Sequence, residues 1–156
     1  MAEGEPARGV SPREPQALNR WVRQRAAHLL VDESGAEPAG TAIYALADPR
    51  DVRTPRYIGQ TRAPRRRFLQ HVAQARLWLP DERPWWIKEP KLRPLYDWLR
   101  ELHRDDGRLP AMIVTEWVED AQARTVERAR ILEGLARGWP ILNYEVEVQG
   151  RQMALL

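Results

Sequence analysis

The sequence predicts an α+β fold: a small, mainly antiparallel sheet with flanking helices, preceded by an N-terminal helix. Three observations carry that prediction. The β-type runs TAIYALA and RYIGQ flank the turn-rich segment DPRDVRTP, which makes a hairpin. A further β-type run, AMIVTEWV, follows well downstream. The intervening segments carry apolar residues at helical rather than alternating spacing.

In chain order, residues 1–15 are rich in Pro, Gly, Glu and Arg and are expected to form a disordered tail. Leu18, Trp21, Val22, Leu29 and Leu30 recur at helical spacing, so an amphipathic helix is expected over 16–31, with DESGAEPAG as a linker to residue 40. Residues 41–47 read as a strand and 56–60 as its returning partner. Pro64 fits the first turn of a helix, where its missing N–H does no harm. That helix is expected to reach about Leu79, burying Phe68, Val72, Ala75 and Leu79. PDERPWWIKEP, residues 80–90, is a Pro- and Trp-rich loop. Residues 92–102 read as a helix with Leu95, Trp98, Leu99 and Leu102 on one face, ended by DDGRLP. A third strand over 111–118 and a helix over 121–136 follow, the helix closed by Gly138 and Pro140. Residues 141–148 read as extended, with alternation in YEVEV, and 149–156 as a C-terminal tail. The expected organisation is one domain over 41–148, with the N-terminal helix and linker (16–40) before it.

Composition narrows the chemistry. The chain has 156 residues, 43% of them apolar, which suits one domain with a core of ordinary size. The absence of Cys excludes disulfides, thiolate zinc sites and cysteine nucleophiles. A bound metal would be a hard ion on oxygen ligands or sit among the three His. No run approaches the roughly 20 consecutive apolar residues of a membrane span, and the N-terminus lacks a signal-peptide core, so a cytoplasmic location without a membrane partner is expected. Net charge is only +3, but residues 53–76 hold seven Arg and no Asp or Glu, a stretch suited to a polyanion.

The chemistry-bearing residues fall into a spaced series. Ala42-Ile43-Tyr44 and Tyr57-Ile58-Gly59 leave twelve residues between their tyrosines. Arg67 follows Tyr57 by ten positions and His71 follows Arg67 by four. Glu127 opens ERARI, and Asn143 follows it by sixteen positions. In this order and spacing the chain resembles the GIY-YIG nuclease superfamily over about residues 41–144, with Ala42 where the name motif has Gly. The resemblance implies a metal-dependent endonuclease that hydrolyses phosphodiester bonds, with DNA the expected nucleic acid. It implies a catalytic set of Tyr44, Tyr57, Arg67, His71, Glu127 and Asn143, with Mg²⁺ (or Mn²⁺) on Glu127.

Physical chemistry gives each residue a role beside that resemblance. Arg67 and His71, four apart, share a helix face with Gln74 and Trp78. The planar fork of Arg67 suits a nonbridging phosphate oxygen. Arg62, Arg65 and Arg66 are expected to track the nucleic-acid backbone. One carboxylate, Glu127, suits Mg²⁺, which keeps much of its water; Glu133 is a possible substitute. A neighbouring Arg67 or metal would favour the Tyr44 phenolate, making Tyr44 the acceptor of the water proton, directly or through His71. Gly59, counted with Arg62, Arg65 and Arg66 as nucleic-acid-binding, is expected to allow close backbone approach, and Asn143 to hold the last helix and a strand together. Trp85 and Trp86 read equally as base-stacking and as packing residues. Two other classes fit the same residues: a catalytically silent nucleic-acid-binding module on this fold, and a domain whose basic helix meets an acidic protein.

Overall fold

The computed structural model describes residues 15–79 and 81–143, so the readings for 1–14, Pro80 and 144–156 lie outside the described residues. The chain forms α1 (Pro15–Leu29), β1 (Leu30–Asp32), β2 (Thr41–Ala47), β3 (Tyr57–Thr61), α2 (Pro64–Ala75), α3 (Arg93–Asp106), β4 (Ala111–Val118) and α4 (Ala123–Ala136). Short 3₁₀ turns over Trp85–Lys88 and Asp120–Gln122 precede α3 and α4. The fold is α+β, as expected: a four-stranded mixed sheet in the order β1-β4-β2-β3, flanked by helices. β2 pairs antiparallel with both β3 and β4, and β1 adds a parallel ladder to β4.

β2 is the central strand, and all seven of its residues are buried. Its alternation divides the core between two faces. Ala42, Tyr44 and Leu46 join the main core with Val22 of α1, Phe68 and Val72 of α2, and Leu95 and Leu99 of α3. Ile43, on the other face, packs with Ile58 of β3, Ile131 of α4 and Ile141. Helices α1 to α3 therefore cover one face and α4 the other. Among the described residues no helix is long and apolar enough to cross a membrane.

Several boundaries differ from the sequence reading. Leu30–Asp32, read as a helix end and the start of a linker, is β1, paired with Met112–Val114. The strand is too short to show an alternation, and its stability comes from a distant partner. α2 stops at Ala75 instead of Leu79, because Arg76 turns into the left-handed region (φ 55°, ψ 46°). The Arg100 guanidinium meets the freed end, donating to the carbonyls of Ala75 (2.9 Å), Leu79 (3.0 Å) and Glu82 (3.2 Å). Phe68, Val72 and Ala75 are buried as expected, but Leu79 is 48% exposed. α3 runs on to Asp106, where Gly107 (φ 63°) caps it. β3 lies one residue further along than read, and the start of the last helix is a 3₁₀ turn.

Candidate active site

Cross-strand register builds the centre of the site. Tyr44 on β2 stands opposite Gly59 on β3. A Cβ at position 59 would lie 2.5 Å from both Cζ and the hydroxyl oxygen of Tyr44. The ring lies across the β3 backbone and needs a residue without a side chain beneath it, which is the local role of Gly59. Tyr57, two residues earlier on the same face of β3, stands with its ring centroid 6.3 Å from that of Tyr44.

α2 supplies the third wall. Pro64 opens it, after the Thr61 hydroxyl has accepted the Ala63 N–H at 3.1 Å. Arg67 and His71 then follow one helical turn apart. His71 is fully buried, with its Nε2 2.7 Å from the Tyr44 hydroxyl and its Nδ1 3.3 Å from the Tyr96 hydroxyl of α3. Tyr96 in turn donates to the Gln74 side-chain carbonyl. The result is a buried chain, Tyr44–His71–Tyr96–Gln74, crossing from the sheet through α2 to α3. Half-buried Arg67 acts on Tyr44 through its charge, and its Nη1 donates to Gln70 at 3.3 Å.

The electrostatics follow from burial. Desolvation pushes the Tyr44 hydroxyl well above the ordinary tyrosine range, Tyr57 adds to the rise, and Arg67 pulls the other way without overcoming it. The expected net lowering by Arg67 is therefore not found, because burial outweighs it. Desolvation, then the Arg67 charge, brings His71 down to about 3, so its ring is neutral at ordinary pH. For Arg67 burial acts to lower the pKa, but the surrounding tyrosines, Tyr44 foremost, raise it, so the guanidinium stays charged.

The structure thus gathers Tyr44, Tyr57, Arg67 and His71 on one face of the sheet. Asn143, 97% buried by its 3% exposure, accepts the Ile58 N–H at 3.0 Å and donates to the Ile58 carbonyl at 2.6 Å. It clamps the middle of the second motif as a short strand would. Glu127 is half-buried on α4, the helix whose Val126 and Ile131 pack against Ile43 and Ile58 on the opposite face. It therefore belongs to the other layer, although both layers border β3, the edge strand. Among the described residues no cluster of three ligating side chains stands ready for a metal. A single carboxylate is still a donor set that suits Mg²⁺ with retained water.

Arg65 and Arg66 are exposed on α2. Arg62 is also exposed and pairs with Asp120, which accepts the Thr41 hydroxyl at 2.6 Å. Trp86 is fully buried and donates from Nε1 to the Gln74 backbone carbonyl at 2.6 Å, so its base-stacking reading is corrected to packing. Trp85 is 60% exposed. No family model matches the chain, and no curated protein or solved structure matches it either. Tyr96 was missed by sequence reasoning. Its signal is its place three residues before Leu99, on the buried side of α3.

A cavity of about 310 Å³ opens on the opposite face, between Ile43, Ile58, Arg130, Glu133 and Trp139. Its charges are mutually committed: Arg130 holds Glu116 at 2.6 Å and Glu133 at 3.1 Å.

Proposed function

We propose that the chain is a divalent-metal-dependent endonuclease that hydrolyses phosphodiester bonds, with DNA as substrate. The observation that carries this reading is the convergence of Tyr44, Tyr57, Arg67 and His71 from three elements onto one face, around a 2.7 Å hydrogen bond between Tyr44 and His71. These are the positions at which the chain resembles GIY-YIG nucleases.

Phosphodiester hydrolysis needs a base for the attacking water and positive charge for the developing phosphorane. Tyr44 is too strongly protonated to act as a standing phenolate. It takes a proton from water only while passing its own to His71, so no free phenolate forms. Arg67 then serves two ends: its fork holds a nonbridging oxygen, and its charge steadies the Tyr44 oxygen during the transfer. Bound phosphate would offset the Arg67 charge felt by His71, the second cause of its low pKa, and so make His71 a better acceptor. Tyr57, half-buried and less enclosed than Tyr44, hydrogen-bonds the incoming water or phosphate. Glu127 would hold Mg²⁺, which when bound supplies Lewis-acid stabilisation of the leaving oxygen. Arg65 and Arg66 track the backbone.

Supercoiled DNA, branched DNA and RNA, each incubated with Mg²⁺ or with EDTA, test the reading directly. Metal-dependent cutting is expected. Glu127→Ala should remove it while leaving folding and binding intact, and a variant that cuts at the wild-type rate would sink the metal assignment. Arg67→Ala should lose cleavage, whereas Arg65→Ala should chiefly lower the salt slope of binding by about one phosphate contact. The near-complete burial of Tyr44 (1% exposed) and His71 (0%) favours one second reading, a module that binds nucleic acid without cutting it. Binding without cleavage under every metal condition would select it.

A further inference from the structure

The hydrogen-bond chain behind Tyr44 has a direction. Gln74 presents its carbonyl oxygen to the Tyr96 hydroxyl, and an oxygen acceptor consumes the one proton Tyr96 has to give. Toward His71, Tyr96 can then only accept. The contact at 3.3 Å therefore requires a proton on His71 Nδ1. A neutral imidazole carries one N–H, and burial keeps this ring neutral. Nε2 is consequently bare, and the 2.7 Å contact must be donated by Tyr44.

We propose that Tyr96 and Gln74 are positioning residues that fix His71 as the Nδ1–H tautomer, leaving Nε2 open to receive the Tyr44 proton. With the other tautomer, Nε2–H would donate to Tyr44 and the route for the water proton would end at the phenol. The fold invests in this arrangement. Gln74 lies three residues after His71 on α2 and reaches the same side, and the Trp86 indole, donating to the Gln74 backbone carbonyl at 2.6 Å, holds that part of the helix. The Trp86 ring also backs Tyr96 at 5.4 Å between centroids. In the proton step, the water O–H bond breaks as the Tyr44 oxygen takes the proton, and the Tyr44 O–H bond breaks as His71 Nε2 takes the other. The water oxygen bonds phosphorus, the leaving oxygen departs with its electron pair, and His71 ends as imidazolium.

The tautomer stands on the hydrogen-bond geometry together with the burial that keeps the ring neutral, and its catalytic consequence rests on the nuclease reading. The test uses the full chain labelled with ¹⁵N-histidine. Long-range ¹H–¹⁵N correlation separates the protonated from the bare ring nitrogen, and the His28→Gln and His103→Gln variants assign the His71 signal. The expected wild-type spectrum shows Nδ1–H with bare Nε2. Tyr96→Phe and Gln74→Leu should each shift His71 toward Nε2–H and lower kcat by roughly 10- to 100-fold at unchanged KM, the scale of losses from outer positioning groups. A wild-type Nε2–H signal, or an unchanged tautomer in both folded variants, would overturn the proposal. If wild type shows Nδ1–H and the variants shift it, but no substrate is cut, the proton assignment is upheld and the nuclease reading fails.

Discussion

Position 59 can carry a side chain only if the Tyr44 ring moves away. A Cβ there would sit 2.5 Å from the ring, so Gly59→Ala must displace Tyr44 or bend β3. Overpacking of this kind costs about 1–3 kcal/mol, and cleavage should fall with it. Urea titration checks the stability, and in Tyr44→Ala the same Gly59→Ala change should cost little. Tyr44→Phe keeps the ring and deletes only the hydroxyl. It leaves Nε2 of His71 buried without a donor, a loss of about 1–3 kcal/mol of stability. If Tyr44 passes the proton, single-turnover cleavage should drop by roughly 100- to 10,000-fold with little change in affinity. Near-wild-type turnover would reduce Tyr44 to a packing residue. Tyr44, Arg67 and His71 were legible as one set only through the resemblance to the GIY-YIG series; the four-residue step by itself puts Arg67 and His71 on one helix face. Tyr96 was not legible: its spacing from Leu99 marks it only as a buried residue, and its hydroxyl matters through the packing of α3 on α2. Glu127 could be placed on a helix from the sequence, but not in the layer it occupies.

Among the secondary-structure elements, β2 and β4 matched their expected limits, since turn residues bracket both runs in the sequence. The end of α2 did not. Arg76 holds φ 55°, a left-handed conformation that costs a residue with a Cβ about 1–2 kcal/mol. Arg100, twenty-four positions away, compensates through its hydrogen bonds to the freed carbonyls and by lying 5.3 Å from the Trp86 ring centre. A helix end set by a distant guanidinium leaves no mark in the local sequence. Arg76→Gly should raise stability by roughly 0.5–1 kcal/mol, the relieved strain less the added freedom of the unfolded chain. Its exposed partner Glu82, at 3.9 Å, contributes little. A lowered urea midpoint would show that the Arg76 side chain matters more than its strain. Arg100→Leu should act oppositely, losing about 2–3 kcal/mol by leaving the carbonyls at the end of α2 without their charged donor.

For the molecule as a whole, one buried and one half-buried histidine make stability pH-dependent. Burial lowers His103 as well as His71, the latter to about 3 from 6.5. Below about pH 6.5 the unfolded chain gains protons that the folded chain refuses, so stability falls as pH falls and is fully retained above that range. From His71 alone the loss between about pH 6.5 and about pH 4.5 should reach roughly 2–3 kcal/mol. The lowered carboxyls of Asp32, Asp48 and Asp120 lose their contribution only at lower pH, as acid begins to protonate them. Urea midpoints across the window should decline, and less steeply in His71→Asn; equal slopes would show that His71 is not held neutral. The parallel strand β1 has a different consequence. It occupies the β4 side of the sheet, where Met112–Val114 would otherwise offer unpaired peptide groups beside apolar side chains. A shortened chain beginning at residue 41 would expose that row as a template for another molecule. Such a chain is expected to self-associate in sedimentation, and β1 then serves as a built-in guard against fibre-like stacking.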